Sequence, residues 1–305
     1  MLQLFQLILQ VKGQTMLGFD LEILKWFESL RSGFANSFFE YVTMLGEEAL
    51  MILLVAVLWF AFDKRIAQRL FFITVVSLSF NSIIKNFAKV ERPFATGEVT
   101  CVRPDTATGY SFPSGHTQNF ATWSTASAIK FKKTWFSVLS GVLISLVALS
   151  RVFLGAHYPS DVIAGALLGV VFAFIGSTVY DKAVNKMCLF KGAFLLLTPF
   201  ALFFILSPDT HYADFYKLYG MLAGLIAAVG FEEKFAPLDY TVCAYKKILR
   251  VVVGVVLALA VKEGLKVFNA FEVLQLSLAF DAMRYFVVVF ICLGLCPLLF
   301  KKIKI

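Results

Sequence analysis

The sequence predicts an all-α, polytopic membrane protein with about nine transmembrane helices. Hydrophobic residues make up 59% of the 305 residues, whereas charged residues make up only 16%. A soluble domain of this length needs more polar side chains than that to cover its surface. The mean hydropathy is +0.80, and apolar runs about as long as a bilayer is thick recur along the chain. The bilayer is therefore the predicted solvent.

Nine apolar runs are long enough to cross a bilayer, or nearly so. They lie at about 49–62, 68–88, 114–131, 134–154, 159–180, 190–206, 214–230, 247–268 and 283–300. Residues 1–47 combine apolar and charged side chains, as in "FDLEILKWFESL", which predicts an amphipathic helix lying in the membrane interface. A tenth crossing in this leading segment is the alternative. The opening "MLQLFQLILQV" has neither the basic residues nor the cleavage site of a signal peptide.

Alternate loops divide the basic residues unequally between the two sides of the membrane. More than half of the 28 Lys and Arg residues fall on one side, among them Lys64, Lys130, Lys182, Lys246 and Lys301. The positive-inside rule makes that side cytoplasmic. The C-terminus is then cytoplasmic, and the other loops face the outside of what we expect to be a bacterial plasma membrane. Because topology explains the formal charge of +8, no nucleic-acid partner is expected.

Three polar segments lie at helix ends on the predicted outer side. The second run ends in "KNFAKVERP", the third begins at "PSGH", and the fourth and fifth are joined by "SRVFLGAHYPSD". Helices that alternate in direction would bring these three ends together at one membrane face. The sequence therefore predicts one functional site there.

Three cations in these segments match the charge of a phosphoryl group. Lys85 and Arg92 are seven residues apart, so they would share one helix face if the helix ran on, and Pro93 marks its end. Arg151 comes from another helix end. Two guanidinium forks and an ammonium suit the several oxygens of a phosphoryl group. The backbone N–H groups where "SFPSGH" opens a helix form a second anion cradle.

Two of the three histidines of the chain lie in the same segments. His157 and Asp161 are four residues apart, so the carboxylate can accept from Nδ1–H and leave Nε2 free to attack. His116 would donate a proton to the leaving oxygen. With the cations as a transition-state clamp, these side chains form a complete phosphoryl-transfer apparatus. A snorkelling cation, a helix cap or an interfacial histidine explains each residue singly, but not the set.

A metal site is the competing interpretation, because two histidines and a carboxylate can hold iron or zinc. Packing a dication among three cations is electrostatically costly, so no metal and no other cofactor is expected. The five cysteines show neither metal-ligand nor redox spacing, and no disulfide is expected. They are Cys101, Cys188, Cys243, Cys292 and Cys296.

The three segments resemble the tripartite signature of the type 2 phosphatidic acid phosphatase (PAP2) superfamily. That signature reads K-x6-RP, PSGH and SR-x5-H-x3-D, and all three parts are complete here, from Lys85 to Asp161. The resemblance covers roughly residues 48–180 and implies a PAP2-type helical core, a phosphohistidine on His157 and no metal. It further implies that the phosphate is held by Lys85, Arg92, Ser114, Gly115, His116 and Arg151. Additional helices after residue 180 distinguish the chain from the smallest, six-span members.

The expected organisation is a leading segment (1–47), a PAP2-like catalytic membrane core (48–206) and additional C-terminal transmembrane helices (207–305). The expected function is hydrolysis of a lipid phosphate or pyrophosphate, such as a polyprenyl (undecaprenyl) diphosphate or a phosphatidate relative. Helix ends near the interface suit this substrate, because its head group lies there while its tail stays in the bilayer.

Three alternatives remain open. The first is a phosphatase of a soluble sugar phosphate, as in the glucose-6-phosphatase branch. The second is a lipid phosphotransferase that uses the same residues. The third is a transporter or scaffold that has lost activity. Polar candidates for reading a sugar lie in the outer loops, without a recognisable arrangement: Asp105, Thr106, Thr108, Asp209 and His211.

Overall fold

The structure, a computed structural model, describes residues 20–266 and 273–303. Residues 1–19 of the predicted interfacial segment lie outside these ranges, whereas the stretch for which the amphipathic helix is predicted is helical over Asp20–Ser29. Its place in the membrane interface stays a prediction. Within the described ranges the chain folds into helices and loops and contains no strand, which confirms the predicted fold class. The α-helices are α1 (Asp20–Ser29), α2 (Gly33–Thr43), α3 (Glu48–Val57), α4 (Lys64–Ala88), α5 (Gly115–Phe131), α6 (Thr134–Phe153), α7 (Pro159–Lys182), α8 (Lys186–Leu206), α9 (Ala213–Phe235), α10 (Ala244–Lys266), α11 (Leu274–Val289) and α12 (Cys296–Ile303).

Each of the nine predicted runs is helical as far as the structure describes it, but fewer helices are long and apolar enough to cross a bilayer. The described ranges contain six such helices, or up to seven if α2 and α3 form one broken span. The helix α5 has only 17 residues, many of them polar, and α10 carries charged residues at both ends. Nine crossings therefore stay a prediction.

Two compact units divide the described residues. One combines the chain up to Glu47 with Phe80–Ser177, and the other combines Glu48–Ser79 with the chain from Thr178 onwards. Each unit joins stretches that are distant in sequence. The three-part division along the chain that the sequence suggests stays a prediction.

The first unit is built around α5 and α6, with α1 and α2 packed against α6. The α2 helix begins where the Ser32 hydroxyl accepts from the backbone N–H of Ala35 at 3.3 Å, a side-chain N-cap. The α5 helix is unusual because it buries several polar side chains. One of them, Gln118, accepts from Asn81 Nδ2 at 2.8 Å, and Asn81 also donates to the carbonyl of Pro113. Polar pairing thus anchors the start of α5.

The second unit packs α9 along α11 and α10 against α3 and α11. Several of its buried or half-buried charges are paired, because an unpaired charge removed from water is costly. Arg69, only 2% exposed, forms an ion pair with Asp181 at 3.1 Å. Lys262 lies 3.0 Å from Glu48, whose carboxylate also accepts from the Tyr285 hydroxyl. The first pair connects α4 with the end of α7, and the second set connects α3 with α10 and α11.

Candidate active site

His157 and Asp161 lie at the junction between two helices of the first unit. The α6 helix ends at Phe153, the His157 loop (residues 154–158) follows, and Asp161 lies in the first turn of α7. His157 Nδ1 is 3.3 Å from Asp161 Oδ2, and the two side chains are 1% and 0% exposed. The spacing of four residues therefore brings the imidazole and the carboxylate together as predicted.

The Asp161 carboxylate has two further partners. Its Oδ2 accepts from Ser111 Oγ at 2.5 Å and from the backbone N–H of Tyr158 at 2.9 Å. Ser111 Oγ is also 3.4 Å from His157 Nδ1, so this hydroxyl contacts both members of the pair. Sequence reasoning missed Ser111, although it stands two residues before Pro113 in the segment "SFPSGH". Its place beside a motif was the only available signal.

Arg92 lies against the other ring nitrogen of His157. Its Nη1 is 3.1 Å from His157 Nε2 and donates to the carbonyl of Ala156 at 2.9 Å. Its Nε and Nη2 donate to the carbonyls of Gly109 and Thr108. With 6% exposure, the guanidinium is held in one orientation by backbone oxygens from two segments.

The helix does not run on to Arg92, so Lys85 and Arg92 do not share a helix face. The α4 helix ends at Ala88, and Lys89 adopts a left-handed conformation with φ of 51°. Arg92 is extended and precedes a short 3-10 turn that begins at Pro93. The two cations reach the site separately, because Lys85 Nζ donates to the carbonyl of Tyr110 at 2.7 Å from the last turn of α4.

Arg151 is completely buried at the end of α6. Its Nη1 donates to the hydroxyls of Thr43 at 2.9 Å and Thr106 at 3.4 Å. Its Nε and Nη2 have no hydrogen-bond partner among the described residues. Unpaired buried N–H groups are rare in folded proteins, so two donors of this guanidinium remain available to an anion.

The "PSGH" segment forms the start of α5. Ser114 is the N-cap, but its side chain does not cap a backbone N–H and lies 3.1 Å from the Thr117 hydroxyl instead. Its backbone N–H donates to the carbonyl of Asp161 at 3.0 Å, which joins this helix start to α7. Gly115 and His116 open the helix, where the first N–H groups have no partner within the helix. Within the described part of the chain, His116 Nε2 is also buried without a partner.

The site is strongly electropositive. Burial lowers the pKa of His157 well below 6.5, and the positive charges of Arg92, Lys85 and Arg151 lower it further. The imidazole is therefore neutral at physiological pH and keeps a lone pair. Residues 20–266 and 273–303 contain no group of three His, Cys, Asp or Glu side chains arranged to hold a metal ion.

Comparison with known proteins identifies the family. Residues 66–185 match the PAP2 superfamily, and residues 216–305 match the transmembrane extension of PAP2 superfamily phosphatases. An undecaprenyl-diphosphatase of Sulfolobus acidocaldarius is 29% identical over 182 residues, which are 58% of this chain and 88% of that protein. A decaprenylphosphoryl-5-phosphoribose phosphatase of Mycobacterium tuberculosis is 38% identical over 97 residues, 32% of this chain and about half (51%) of that protein.

One solved structure is also similar, that of a transmembrane PAP2 type phosphatidylglycerolphosphate phosphatase from Bacillus subtilis. It has a TM-score of 0.49 and 20% identity, and the match covers 61% of this chain and 96% of that one. The two matches in sequence cover the segment that carries the three motifs and the chain from residue 216 onwards. The chain belongs to the PAP2 superfamily and carries its transmembrane extension.

Proposed function

We propose that this protein is a membrane phosphatase that hydrolyses a lipid phosphate or pyrophosphate through a phosphohistidine on His157, without a metal. The observation that carries the proposal is the buried arrangement in which His157 contacts Asp161 through Nδ1 and Arg92 through Nε2. An oriented, neutral imidazole beside a fixed guanidinium suits attack on a phosphoryl group.

In the first step, His157 Nε2 attacks phosphorus and the bond from phosphorus to the leaving oxygen breaks. Asp161 accepts the Nδ1–H bond and stabilises the positive charge that develops on the imidazole. His116 donates the proton that the leaving oxygen takes up. As the new bond forms, the Arg92 N–H stops donating to His157 Nε2 and donates a hydrogen bond to a phosphoryl oxygen instead.

In the second step, water attacks the phosphohistidine, His116 accepts the proton of that water, and inorganic phosphate leaves. Lys85, Arg92 and Arg151, together with Ser114 and the first free backbone N–H groups of α5 from Gly115 onwards, stabilise the negative charge on the oxygens of the transition state. The unpartnered donors of Arg151 support this role. Because these groups supply the positive charge that a metal would bring, the chemistry needs no metal.

Two observations favour a lipid over a soluble substrate. Two of the relatives named above, from Sulfolobus acidocaldarius and Mycobacterium tuberculosis, act on polyprenyl substrates by their names. An apolar groove of about 410 Å³ also lies between α1, α6 and α7, and Val152, Pro159 and Val162 of its lining flank the site residues along the chain. Such a lining suits a hydrocarbon chain better than a sugar. The Thr106 hydroxyl, one of the groups that the sugar alternative needs, instead accepts a hydrogen bond from Arg151.

The test is phosphate release from purified protein in EDTA. We expect turnover in chelator, none for His157→Ala, and wild-type rates for His211→Ala, whose histidine pairs with Asp209. Acid-labile, alkali-stable label on the protein from ³²P substrate should depend on His157. Activity lost in EDTA and restored by zinc would overturn the mechanism.

A substrate panel separates the remaining alternatives. It compares kcat/KM for undecaprenyl diphosphate, farnesyl diphosphate, phosphatidate, sphingosine phosphate and glucose 6-phosphate. A tenfold preference for glucose 6-phosphate, about 1.4 kcal/mol in the transition state, would contradict a lipid substrate. Transfer of label to an added lipid alcohol instead of water would identify a phosphotransferase.

A further inference from the structure

The leading helix α1 and the turn after it touch both ends of the His157 loop. At the end of the loop, Ser160 Oγ donates to Asp20 Oδ2 at 2.6 Å. At its start, Arg31 Nε donates at 3.0 Å to the carbonyl of Phe153, the last residue of α6. We propose that residues 20–31 form a clamp that holds the His157 loop in its reactive geometry, with Asp20 and Arg31 as positioning residues. This inference rests on the proposed function.

The buried carboxylate of Asp20, a residue of α1, lies at the start of a second helix, α7. It is 0% exposed, and its second oxygen, Oδ1, has no partner among the described residues. Ser160, its donor, stands between Tyr158 and Asp161 in the first turn of α7, where a negative charge is favoured by the helix dipole. Burial, then Asp161 and then Asp20 raise the pKa of Tyr158 in the His157 loop to about 12.

Arg31 forms the other half of the clamp. Besides Phe153, its guanidinium donates from Nη1 to the Thr100 hydroxyl at 2.7 Å and to Glu28 Oε1 at 3.1 Å. The Glu28 carboxylate in turn accepts from the backbone N–H of Thr100 at 2.9 Å. The carbonyl of Thr100 packs so closely against Gly155, which has a φ of +74°, that a Cβ there would lie 2.2 Å from the oxygen. Arg31 and Thr100 therefore confine the loop from one side.

An apolar contact lies between the two polar ends of the clamp. Leu24, 1% exposed, packs with Val99, Val152, Tyr158 and Val162 in one buried cluster. Three of these residues adjoin site residues, since Val152 follows Arg151, Tyr158 follows His157 and Val162 follows Asp161. Residues 20–31 are thus attached to the His157 loop and its flanking residues through three separate contacts, made by Asp20, Leu24 and Arg31. A helix that only lies in the membrane interface needs none of them.

The position of His157 explains why such a clamp matters. The histidine stands four residues after Phe153 and three before Ser160, so both anchors act on a short segment. Displacement of a reacting group by about 1 Å can cost about 100-fold in rate. Asp20 and Arg31 do not touch the reacting atoms, and we expect them to act on the rate of the chemical step more than on substrate binding.

The first experiment measures kcat and KM separately on the lipid phosphate that the wild type turns over. Asp20→Ala and Arg31→Gln should each lower kcat about 10- to 100-fold, while KM stays within about twofold. Asp20→Asn, which keeps an oxygen acceptor for Ser160, should recover most of the rate. Ser160→Ala combined with Asp20→Ala should be no worse than either change alone, because the two residues act as one unit. Lys25→Ala is the matched control. Lys25 lies on the same helix as Asp20, its ion pair with Glu98 is exposed, and the variant should behave as wild type.

The second experiment needs no turnover, so it distinguishes failure of the clamp from failure of the proposed function. Hydrogen–deuterium exchange of the protein in detergent should be faster at residues 154–160 in Asp20→Ala and Arg31→Gln, and unchanged in α5. Unchanged exchange in the loop would overturn the clamp even if the wild type proved inactive on every phosphate. A higher KM with an unchanged kcat would also overturn it, because it indicates a contact with substrate. Additive effects of Asp20→Ala and Ser160→Ala would do the same, because they indicate two unrelated kinds of damage.

Discussion

At the scale of single residues, the site depends on one carboxylate with three donors. Asp161 Oδ2 accepts from Ser111, from the Tyr158 N–H and from His157. The first two contacts fix the carboxylate, and the third orients the imidazole. Ser111 therefore supports the orienting residue, while Asp161 acts on His157 directly.

The first prediction compares Asp161→Asn with Ser111→Ala. Loss of the orienting charge in a comparable histidine system costs about 10⁴-fold in kcat, and we expect a loss of that order for Asp161→Asn. Ser111→Ala removes one hydrogen bond of about 1 kcal/mol, so a loss of about fivefold in kcat is expected. Steady-state kcat of both purified variants checks this order. Equal losses in the two variants would contradict the roles given to them.

The second prediction concerns pH. The protonated form of His157 cannot attack phosphorus, and burial together with nearby cations lowers its pKa well below 6.5. Because the pKa is lowered, the reactive neutral form persists as the pH falls through the usual range of histidine. The acid limb of kcat/KM, which reports the free enzyme, should therefore have its midpoint clearly below pH 6.5. A midpoint at or above 6.5 would show that the imidazole is not in this environment.

At the scale of helices, close approach decides packing in the second unit. A Cβ on Gly220 of α9 would lie 2.0 Å from the carbonyl oxygen of Ala282 in α11. Helix backbones approach this closely in membranes only where a residue without a side chain stands between them. The contact between α9 and α11, the most extensive between helices of this unit, thus depends on glycines of α9: Gly220 makes the closest approach, and a Cβ on Gly224 would lie 2.8 Å from the carbonyl oxygen of Phe286.

The third prediction follows from this contact. Gly220→Ala should force α9 and α11 apart and destabilise the protein by about 1–3 kcal/mol, as overpacking does. The midpoint of thermal unfolding in detergent measures the effect. Gly264→Ala is the matched control, since a Cβ at Gly264 meets nothing within 4 Å. A midpoint unchanged by Gly220→Ala would mean that this helix pair adjusts freely.

The fourth prediction concerns the groove between α1, α6 and α7. Ala166 lines this groove, and Ala166→Trp should obstruct the place of a long hydrocarbon chain. We expect kcat/KM for undecaprenyl diphosphate to fall about tenfold or more, with little change for a short-chain diphosphate, because only the long chain needs the groove. Ile175→Trp, at an exposed position further along α7, is the control. Equal losses on long and short substrates would mean that the hydrocarbon chain of the substrate does not bind in this groove.

At the scale of the whole molecule, the arrangement of charges predicts which side of the membrane carries the site. The loop before the "PSGH" motif holds Cys101, and the start of α8 holds Cys188. The positive-inside rule places the first outside and the second in the cytoplasm. Burial raises the pKa of the Cys101 thiol, so its reaction with a thiol reagent is slow at neutral pH.

The fifth prediction tests this sidedness with variants that retain one cysteine each. An impermeant maleimide applied to intact cells should label Cys101, at a rate that rises with pH, and should not label Cys188. Solubilised protein labelled at both positions provides the control for reactivity. Labelling of Cys188 alone in intact cells would invert the topology.

The sequence by itself determined the class of fold, the helical runs, the family and the residues of the three motifs. These properties are encoded locally, in composition, in the length of apolar runs and in the spacing of a few residues. The spacing of His157 and Asp161 predicted their contact because both stand at one helix start. The same reasoning failed for Lys85 and Arg92, since no periodicity reveals that the helix ends at Ala88 before Arg92.

The tertiary structure alone decided which groups surround the motifs. Four contacts join residues that are 46 to 140 positions apart along the chain: Ser111 with His157, Thr43 with Arg151, Arg31 with Phe153 and Asp20 with Ser160. Each contact is set by how helices pack, and packing depends on the shapes of two distant surfaces at once. A pattern read along one chain contains only one of those surfaces at a time. The motif residues could therefore be predicted from the sequence, whereas the contacts that orient them became visible only when the helices were brought together.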